Sequence, residues 1–172
     1  MTDEKDDYYL FKIEQTISKK NYKKAEEYID ELVFRSPKSQ LTAYEIAKIA
    51  YINRKFDEAE QKSKQLVKLN KFNPIFIDLY GHCLFANNKF QEALQCFEFV
   101  NNSVGTLKST FMIGLCHFFL GNFDLARDFL YSAYKQDKKN FGKLVLNIHT
   151  ELSPSLAKEE WERLNKILES LL

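Results

Sequence analysis

Glycine and proline are scarce in this chain of 172 residues, which contains five glycines and three prolines. These residue types most often interrupt helices and strands, so their scarcity favours long uninterrupted helices. Net charge is also nearly absent, because 25 Lys and Arg stand against 24 Asp and Glu. Such a chain has no strong field to attract nucleic acid or anionic lipid. No run approaches the roughly 18 apolar residues of a membrane span, so membrane insertion is not expected.

Cysteine is present in an odd number, as Cys83, Cys96 and Cys116. All three lie within apolar helical patterns rather than at the spacings of a disulfide framework, which predicts reduced, buried thiols. Residues 1–7 are acidic, whereas a secretory signal peptide would be basic and then apolar. Together these features predict a cytoplasmic protein.

Aromatic residues are abundant, with 15 Phe and 9 Tyr, and several of them recur at a fixed spacing. Four similar corners are Asn21-Tyr-Lys-Lys-Ala25, Lys55-Phe-Asp-Glu-Ala59, Lys89-Phe-Gln-Glu-Ala93 and Asn122-Phe-Asp-Leu-Ala126. In each corner an aromatic residue precedes an alanine by three positions. The aromatic positions are separated by 34 (56 minus 22), 34 (90 minus 56) and 33 (123 minus 90) residues. A period of this length is typical of helical repeat proteins.

Each corner separates two stretches of helical periodicity, for example 41–52 before a corner and 90–100 after one. We call the helix before the corner helix A and the helix after it helix B. The corner alanines, and the small residues Ala47, Gly81 and Gly114 of the A helices, are expected where A and B cross. Small side chains at a crossing allow the two backbones to approach closely.

This pattern resembles the tetratricopeptide repeat family, with its small residue on helix A and its aromatic residue and alanine on helix B. The resemblance implies an all-α solenoid of four helical hairpins in one domain, 1–172. The repeats are expected at about 6–39, 40–73, 74–106 and 107–140, followed by capping helices over 141–172. Ser153 and Pro154 have the order of a helix N-cap and first residue, which predicts that the last helix starts there.

The resemblance also implies a concave groove lined by the A helices, where proteins of this family hold peptides. The repeat register directs twelve residues to it: Leu10, Glu14, Ile17, Tyr44, Lys48, Tyr51, Asp78, His82, Phe85, Phe111, Leu115 and Phe118. Five of the twelve are aromatic, and we expect them to form an exposed apolar strip that binds an extended peptide. The peptide-binding residues would be Tyr44, Lys48, Tyr51, Asp78, His82, Phe85, Phe111, Leu115 and Phe118. A second interpretation is that a terminal segment or another copy of the chain covers the rings.

Within about 50–135 the chain is similar to the chaperones of type III secretion translocator proteins. The similarity rests on Phe76-Ile-Asp-Leu-Tyr-Gly-His-Cys83, Lys89-Phe-Gln-Glu-Ala93 and Phe111-Met-Ile-Gly-Leu-Cys116. It implies a chaperone that holds a segment of a secreted client, and it makes a homodimer conceivable. The alternative is a scaffold or adaptor subunit of a stable multiprotein complex.

Catalysis is not expected from the sequence. The neighbouring pairs His82-Cys83 and Cys116-His117 lie on helices, where adjacent side chains point about 100° apart and do not face each other. No metal-binding or nucleotide-binding motif occurs, so neither a metal nor a cofactor is expected. The sequence therefore predicts a binding protein rather than an enzyme.

Overall fold

A computed structural model describes residues 4–152 and 158–171. The described part of the chain contains ten helices and no strand, which confirms the all-α prediction. It divides into two compact units, Met1–Asn87 and Asn88–Leu172, here called the first and the second unit. The boundary falls in the turn that follows the fifth helix.

The helices have the bounds expected for successive A and B helices. The first unit contains α1 (Glu4–Ser18), α2 (Tyr22–Arg35), α3 (Gln40–Ile52), α4 (Phe56–Leu69) and α5 (Pro74–Ala86). The second unit contains α6 (Phe90–Val104), α7 (Leu107–Phe119), α8 (Phe123–Gln136), α9 (Lys138–Leu152) and α10 (Lys158–Glu169). Each corner aromatic is the first residue of a B helix.

Side-chain caps explain where several helices begin. The Asn21 side chain accepts a hydrogen bond from the backbone N–H of Lys24 at the start of α2. Asn73 caps α5 with its side chain, and Pro74 follows at the first helical position. At the start of α7, Thr106 and Ser109 exchange side-chain and backbone hydrogen bonds as a capping box. These caps satisfy backbone donors that have no partner within their helix.

The turn between helix A and helix B has the same backbone conformation in all four repeats. Lys20, Arg54, Asn88 and Gly121 occupy equivalent positions and have φ values of 57°, 60°, 60° and 80°. This left-handed conformation is easy for glycine, tolerated by asparagine and strained for most other residues. Only the fourth repeat uses glycine at this position.

Small residues allow the paired helices to pack closely. The corner alanines, Ala25, Ala59, Ala93 and Ala126, are all completely buried. Between α7 and α8, a Cβ added to Gly114 would lie 2.8 Å from Cγ of Leu130. The expected small residue at the crossing is therefore confirmed for this pair, where no side chain fits.

The last two helices differ somewhat from the expected capping region. α9 begins at Lys138, three residues before the predicted start, and Phe141 is completely buried. Leu164 and Leu168 give α10 an apolar side that is also buried. The predicted helix start at Ser153 and Pro154 lies outside the described residues.

Candidate protein-binding surface

The predicted groove residues are divided between the two units, and each group has its own environment. In the first unit, α3 supplies Tyr44, Lys48 and Tyr51, while α5 supplies Asp78 and His82. We call these five residues the α3/α5 surface. All five are partly buried, so each side chain is supported by neighbours and still reaches solvent.

Aromatic contacts hold the two tyrosines of the α3/α5 surface. The Tyr44 ring lies 5.9 Å from the buried Phe76 ring on α5. The Tyr51 ring lies 6.1 Å from the His82 ring and 5.6 Å from the Phe56 ring. Contacts at these distances fix the ring positions, because offset and edge-to-face aromatic pairs are favourable. The surface is therefore ordered before any partner binds.

Charged groups lie between the rings. Lys48 forms ion pairs with Glu14 of α1 and with Glu45, whose Oε2 lies 3.7 Å from the lysine Nζ. The same ammonium lies 5.8 Å from the centre of the Tyr44 ring. On α5, the His82 Nε2 lies 3.8 Å from Oδ1 of Asp78. This part of the surface combines apolar ring edges with both signs of charge.

Glu45 is a feature of this region that the sequence analysis missed. Its side chain is buried, and its Oε2 has no hydrogen-bond partner. Burial raises the pKa of Glu45 to about 7, since desolvation disfavours the charged carboxylate; Lys48 opposes the shift and Glu14 adds to it. A glutamate within an apolar stretch, beside Tyr44 and two residues from Ala47, was the signal that could have revealed it.

Tyr44 is held in its protonated form by the same surroundings. Burial, followed by the charges of Glu45, Asp78 and Glu14, raises the pKa of its phenol to about 12. A protonated phenol can donate a hydrogen bond as well as accept one. Tyr44 can therefore contribute both an apolar ring and a donor to a bound peptide.

The prediction of an exposed apolar strip in the fourth repeat is wrong. Phe111, Leu115 and Phe118 on α7 are 1%, 0% and 4% exposed. The Phe111 ring packs edge-on against Phe141 of α9, with ring centres 5.5 Å apart. For Phe111, the interpretation that a terminal segment covers the ring therefore applies.

The other C-terminal helix lies near the end of α7. Phe118 lies 5.6 Å from the Phe123 ring, measured between centres, and the Arg163 guanidinium of α10 lies 4.8 Å from the centre of the Phe123 ring. Phe118 and Arg163 line the same small cavity, together with Glu160. The side chain of Phe118 therefore packs against the start of α8, beside a cavity that α10 also lines.

The predicted exposure is also wrong for Phe85, whereas the predicted groove residues of the first repeat differ in burial. Phe85 on α5 is buried, so the expectation of an exposed ring is wrong there as well. In the first repeat, Leu10 and Ile17 are half-buried and pack beside the core residues Ile13 and Ala25, whereas Glu14 is exposed. Peptide binding by any of the predicted residues stays a prediction.

The two cysteine–histidine pairs do not assemble a nucleophile. Cys83 and Cys116 are completely buried, in agreement with the predicted buried thiols, whereas Cys96 is only partly buried. Burial raises the pKa of the Cys83 thiol to about 11 and raises that of Cys116 as well. Both residues are therefore neutral thiols near pH 7, whereas a reactive cysteine needs a lowered pKa.

Among the described residues, no helix is both long and apolar enough to cross a membrane.

Comparison with known proteins supports the repeat fold. The family model for subunit 3 of the anaphase-promoting complex, or cyclosome, matches residues 18–100, a little under half of the chain. No curated protein matches the chain significantly in sequence.

Solved structures match over nearly the whole chain at low sequence identity. A thermophilic TPR protein of Thermus thermophilus has a TM-score of 0.71 and 16% identity, with 95% of this chain and 90% of that chain covered. MamA from Desulfovibrio magneticus RS-1 has a TM-score of 0.68 and 13% identity, with 98% and 96% covered. A structure of Naa15/Naa10 bound to HypK-THB has a TM-score of 0.61 and 18% identity, with 96% of this chain and 24% of that chain covered. The chain therefore has the tetratricopeptide-type repeat fold.

Proposed function

We propose that the chain is a protein-binding module that holds an extended segment of a partner against the α3/α5 surface. The observation that supports this most is the alternation of partly buried rings and charged groups on two successive A helices. Ring edges can bind apolar side chains, while the charged groups can bind the peptide backbone or polar side chains. The fold itself implies partners that are proteins.

Within the α3/α5 surface, Tyr44 and Tyr51 are the proposed anchors. Tyrosine is frequent among residues that dominate binding energy, because it offers a large, rigid contact area and a hydroxyl. Lys48, Asp78 and His82 would orient the segment through hydrogen bonds. The proposal excludes Phe111, Leu115 and Phe118 as direct contacts, since their side chains are buried.

The finer hypothesis is that the partner is a secreted client and that the chain acts as its chaperone. It rests on the similarity of residues 50–135 to type III secretion translocator chaperones. A chaperone of this kind would bind reversibly and hold the client in an extended, unfolded form. Self-association into a homodimer belongs to the same hypothesis.

A peptide selection followed by calorimetry tests the proposed module. A display library of random peptides is selected on the purified chain, and the most enriched peptide is titrated into the wild type and into Tyr44→Ala and Tyr51→Ala. Truncation of an anchor is expected to weaken binding by about tenfold or more. The matched control is Tyr131→Ala, which removes an exposed tyrosine from α8 in the other unit. Failure to enrich any peptide, or equal binding by all four proteins, rules the proposal out.

A second candidate function, a scaffold subunit of a stable complex, is favoured by two exposed rings. Phe34 at the end of α2 is 87% exposed, and Phe72 between α4 and α5 is 79% exposed. Exposed apolar rings are typical of protein interfaces. Sedimentation velocity of the isolated chain separates the two functions: a scaffold subunit is expected to self-associate or aggregate, and Phe34→Ser with Phe72→Ser should prevent this. A monodisperse wild-type chain would favour the reversible peptide binder.

A further inference from the structure

A second candidate surface lies on the other side of α3, in a cleft of about 330 Å³ between α2 and α3. Its floor is apolar and includes Ile29 and Val33 of α2 with Ile46 and Ala50 of α3. Position 46 is two residues from position 44, and position 50 is two residues from position 48. Two residues correspond to a rotation of about 200° around the helix, so the side chains of each pair point to opposite sides of α3. The cleft is therefore separate from the α3/α5 surface. We call it the acidic cleft.

The rim of the acidic cleft carries an excess of negative charge. Glu26 and Asp30 of α2 and Glu58 of α4 contribute three carboxylates, and Lys55 contributes one ammonium. The Glu26 carboxylate is fixed in place, because Oε1 accepts a hydrogen bond of 2.7 Å from the Asn53 side chain. A fixed carboxylate beside an apolar floor favours an occupant with a cationic end and an apolar stem.

The next repeat has different side chains at the positions that line the cleft. Thirty-four residues later, Leu84 stands where the cleft has Ala50, and Tyr80 stands where it has Ile46. Both replacements are larger, and Leu84 is completely buried. Two other lining residues change in the opposite direction, since Ile29 and Ile49 correspond to the smaller Ser63 and Cys83.

The charge of the cleft is also specific to the first junction. Asp30 on the rim corresponds to Lys64 in the next repeat, again 34 residues later. Asp30 and Lys64 are both exposed, so core packing does not explain the choice of side chain at either position. The exchange of Asp30 for a lysine therefore makes the first junction the more acidic of the two.

We propose that the acidic cleft binds an arginine side chain of a partner protein, flanked by an apolar residue. The arginine stem would cover Ile46 and Ala50, and its guanidinium would reach the rim carboxylates. Arginine suits this site better than lysine, because its planar group presents several donors to more than one carboxylate and is less strongly hydrated. The cleft volume is at the low end of the range for ligand sites and fits one or two side chains.

Titration of the full, ¹⁵N-labelled chain with three short peptides tests this proposal by NMR. The probes are the N-acetylated, C-amidated tripeptides Leu-Arg-Leu, Leu-Lys-Leu and Leu-Glu-Leu, which differ only in the central side chain. The arginine peptide is expected to shift the backbone amides of Ile29, Ile46 and Ala50. It should bind about tenfold more tightly than the glutamate peptide, with the lysine peptide between them.

Two variants place the binding in the cleft, and a third controls for charge. Asp30→Lys installs the residue of the next repeat and should weaken binding of the arginine peptide by about tenfold. Ala50→Leu fills the cleft and should abolish the shifts. Asp124→Lys makes the same charge change on α8 in the other unit and should bind as the wild type does. Thermal unfolding of each variant checks that it is folded.

The proposal is overturned by any of four results, three of which concern affinity. These are no binding of the arginine peptide at millimolar concentration, equal binding of the arginine and glutamate peptides, and unchanged binding in Asp30→Lys. Tyr51→Ala separates this site from the proposed function, because it should leave binding in the acidic cleft intact. Shifts that centre on Tyr44 and Tyr51 instead would assign the arginine peptide to the α3/α5 surface and overturn the cleft as its site.

Discussion

Asn53, at the end of α3, donates a hydrogen bond of 2.7 Å from Nδ2 to Oε1 of Glu26 on α2. The same bond recurs 34 residues later, where Asn87 donates to Glu60 at a distance of 2.6 Å. Each bond connects the A helix of one repeat to the B helix of the preceding repeat. In the fourth repeat, Leu120 and Leu94 occupy the corresponding positions, so this polar connection is absent there.

Removal of the second of these bonds should destabilise the chain. Asn87→Ala leaves the partly buried Glu60 carboxylate without this donor, and a hydrogen bond to a charged group contributes about 1.5–3 kcal/mol. Urea unfolding at pH 7 measures the change. The effects of the single variants Asn87→Ala and Glu60→Ala should not be additive in the double variant, because each of them removes the same interaction. Full additivity would show that the two residues act independently.

Because Phe111 is buried, truncating its side chain is expected to lower the stability of the fold and not only the binding of a partner. Phe111→Ala removes a ring that packs against Phe141, and such a truncation costs about 3–5 kcal/mol. The matched control is Phe34→Ala, since that ring is exposed and its loss should change stability by less than about 0.5 kcal/mol. Thermal or urea unfolding measures both. A stable Phe111→Ala protein would mean that the ring is accessible, as the sequence analysis expected.

The repeat fold was predictable because its signal is local and periodic. Tyr22, Phe56, Phe90 and Phe123 mark the starts of four B helices, and each start is found at the expected residue. The signal arises from contacts between paired helices, and these contacts recur with a period of about 34 residues. The two-unit division of the chain was not part of the prediction.

The site was less predictable, because the burial of an A-helix residue depends on what packs over it. The register gives Tyr44 and Phe111 the same repeat position, yet Tyr44 is half-buried and Phe111 is fully buried. The covering ring, Phe141, belongs to a C-terminal segment without the corner pattern. Its packing position therefore could not be inferred from the repeat. Glu45 was missed because the period indicates faces of a helix and not the solvation of a carboxylate.

The raised pKa of Glu45 predicts that stability decreases as pH rises. The folded chain keeps the Glu45 proton up to about pH 7, whereas the ordinary value for glutamate is 4.5. The stabilisation from this group is complete below pH 4.5 and is lost as pH rises through about 7. A shift of this size corresponds to a free-energy change on the order of 3 kcal/mol.

Glu45→Gln tests this pH dependence, because glutamine is similar in size and stays neutral. The variant should be more stable than the wild type at pH 8 and similar to it at pH 4. The difference in unfolding free energy between the variant and the wild type is measured at several pH values between these two. Glu31→Gln, which changes an exposed glutamate on α2, is the control. If Glu45→Gln follows the wild-type curve at every pH, the carboxyl is not desolvated in solution.

The close approach of α7 and α8 predicts that no side chain is tolerated at Gly114. Gly114→Ala would place a Cβ 2.8 Å from Cγ of Leu130 and 3.2 Å from its backbone nitrogen. The helices must then separate, at a cost of about 1–3 kcal/mol. Gly142→Ala is the matched control, since a Cβ there has no atom within 4 Å. Urea unfolding should show destabilisation for the first variant only.

The left-handed turns have an electrostatic consequence. In the first two repeats the strained position is occupied by Lys20 and Arg54, each within two residues of the end of an A helix. The C-terminal end of a helix carries a partial negative charge, and a cation there stabilises it by about 0.3–1 kcal/mol. The first two turns therefore combine an unfavourable backbone conformation with a favourable charge, whereas Gly121 avoids the strain and supplies no charge. Salt screens the interaction between this cation and the helix end. It should therefore destabilise the first two turns more than the fourth, although all four have a left-handed residue at the same position.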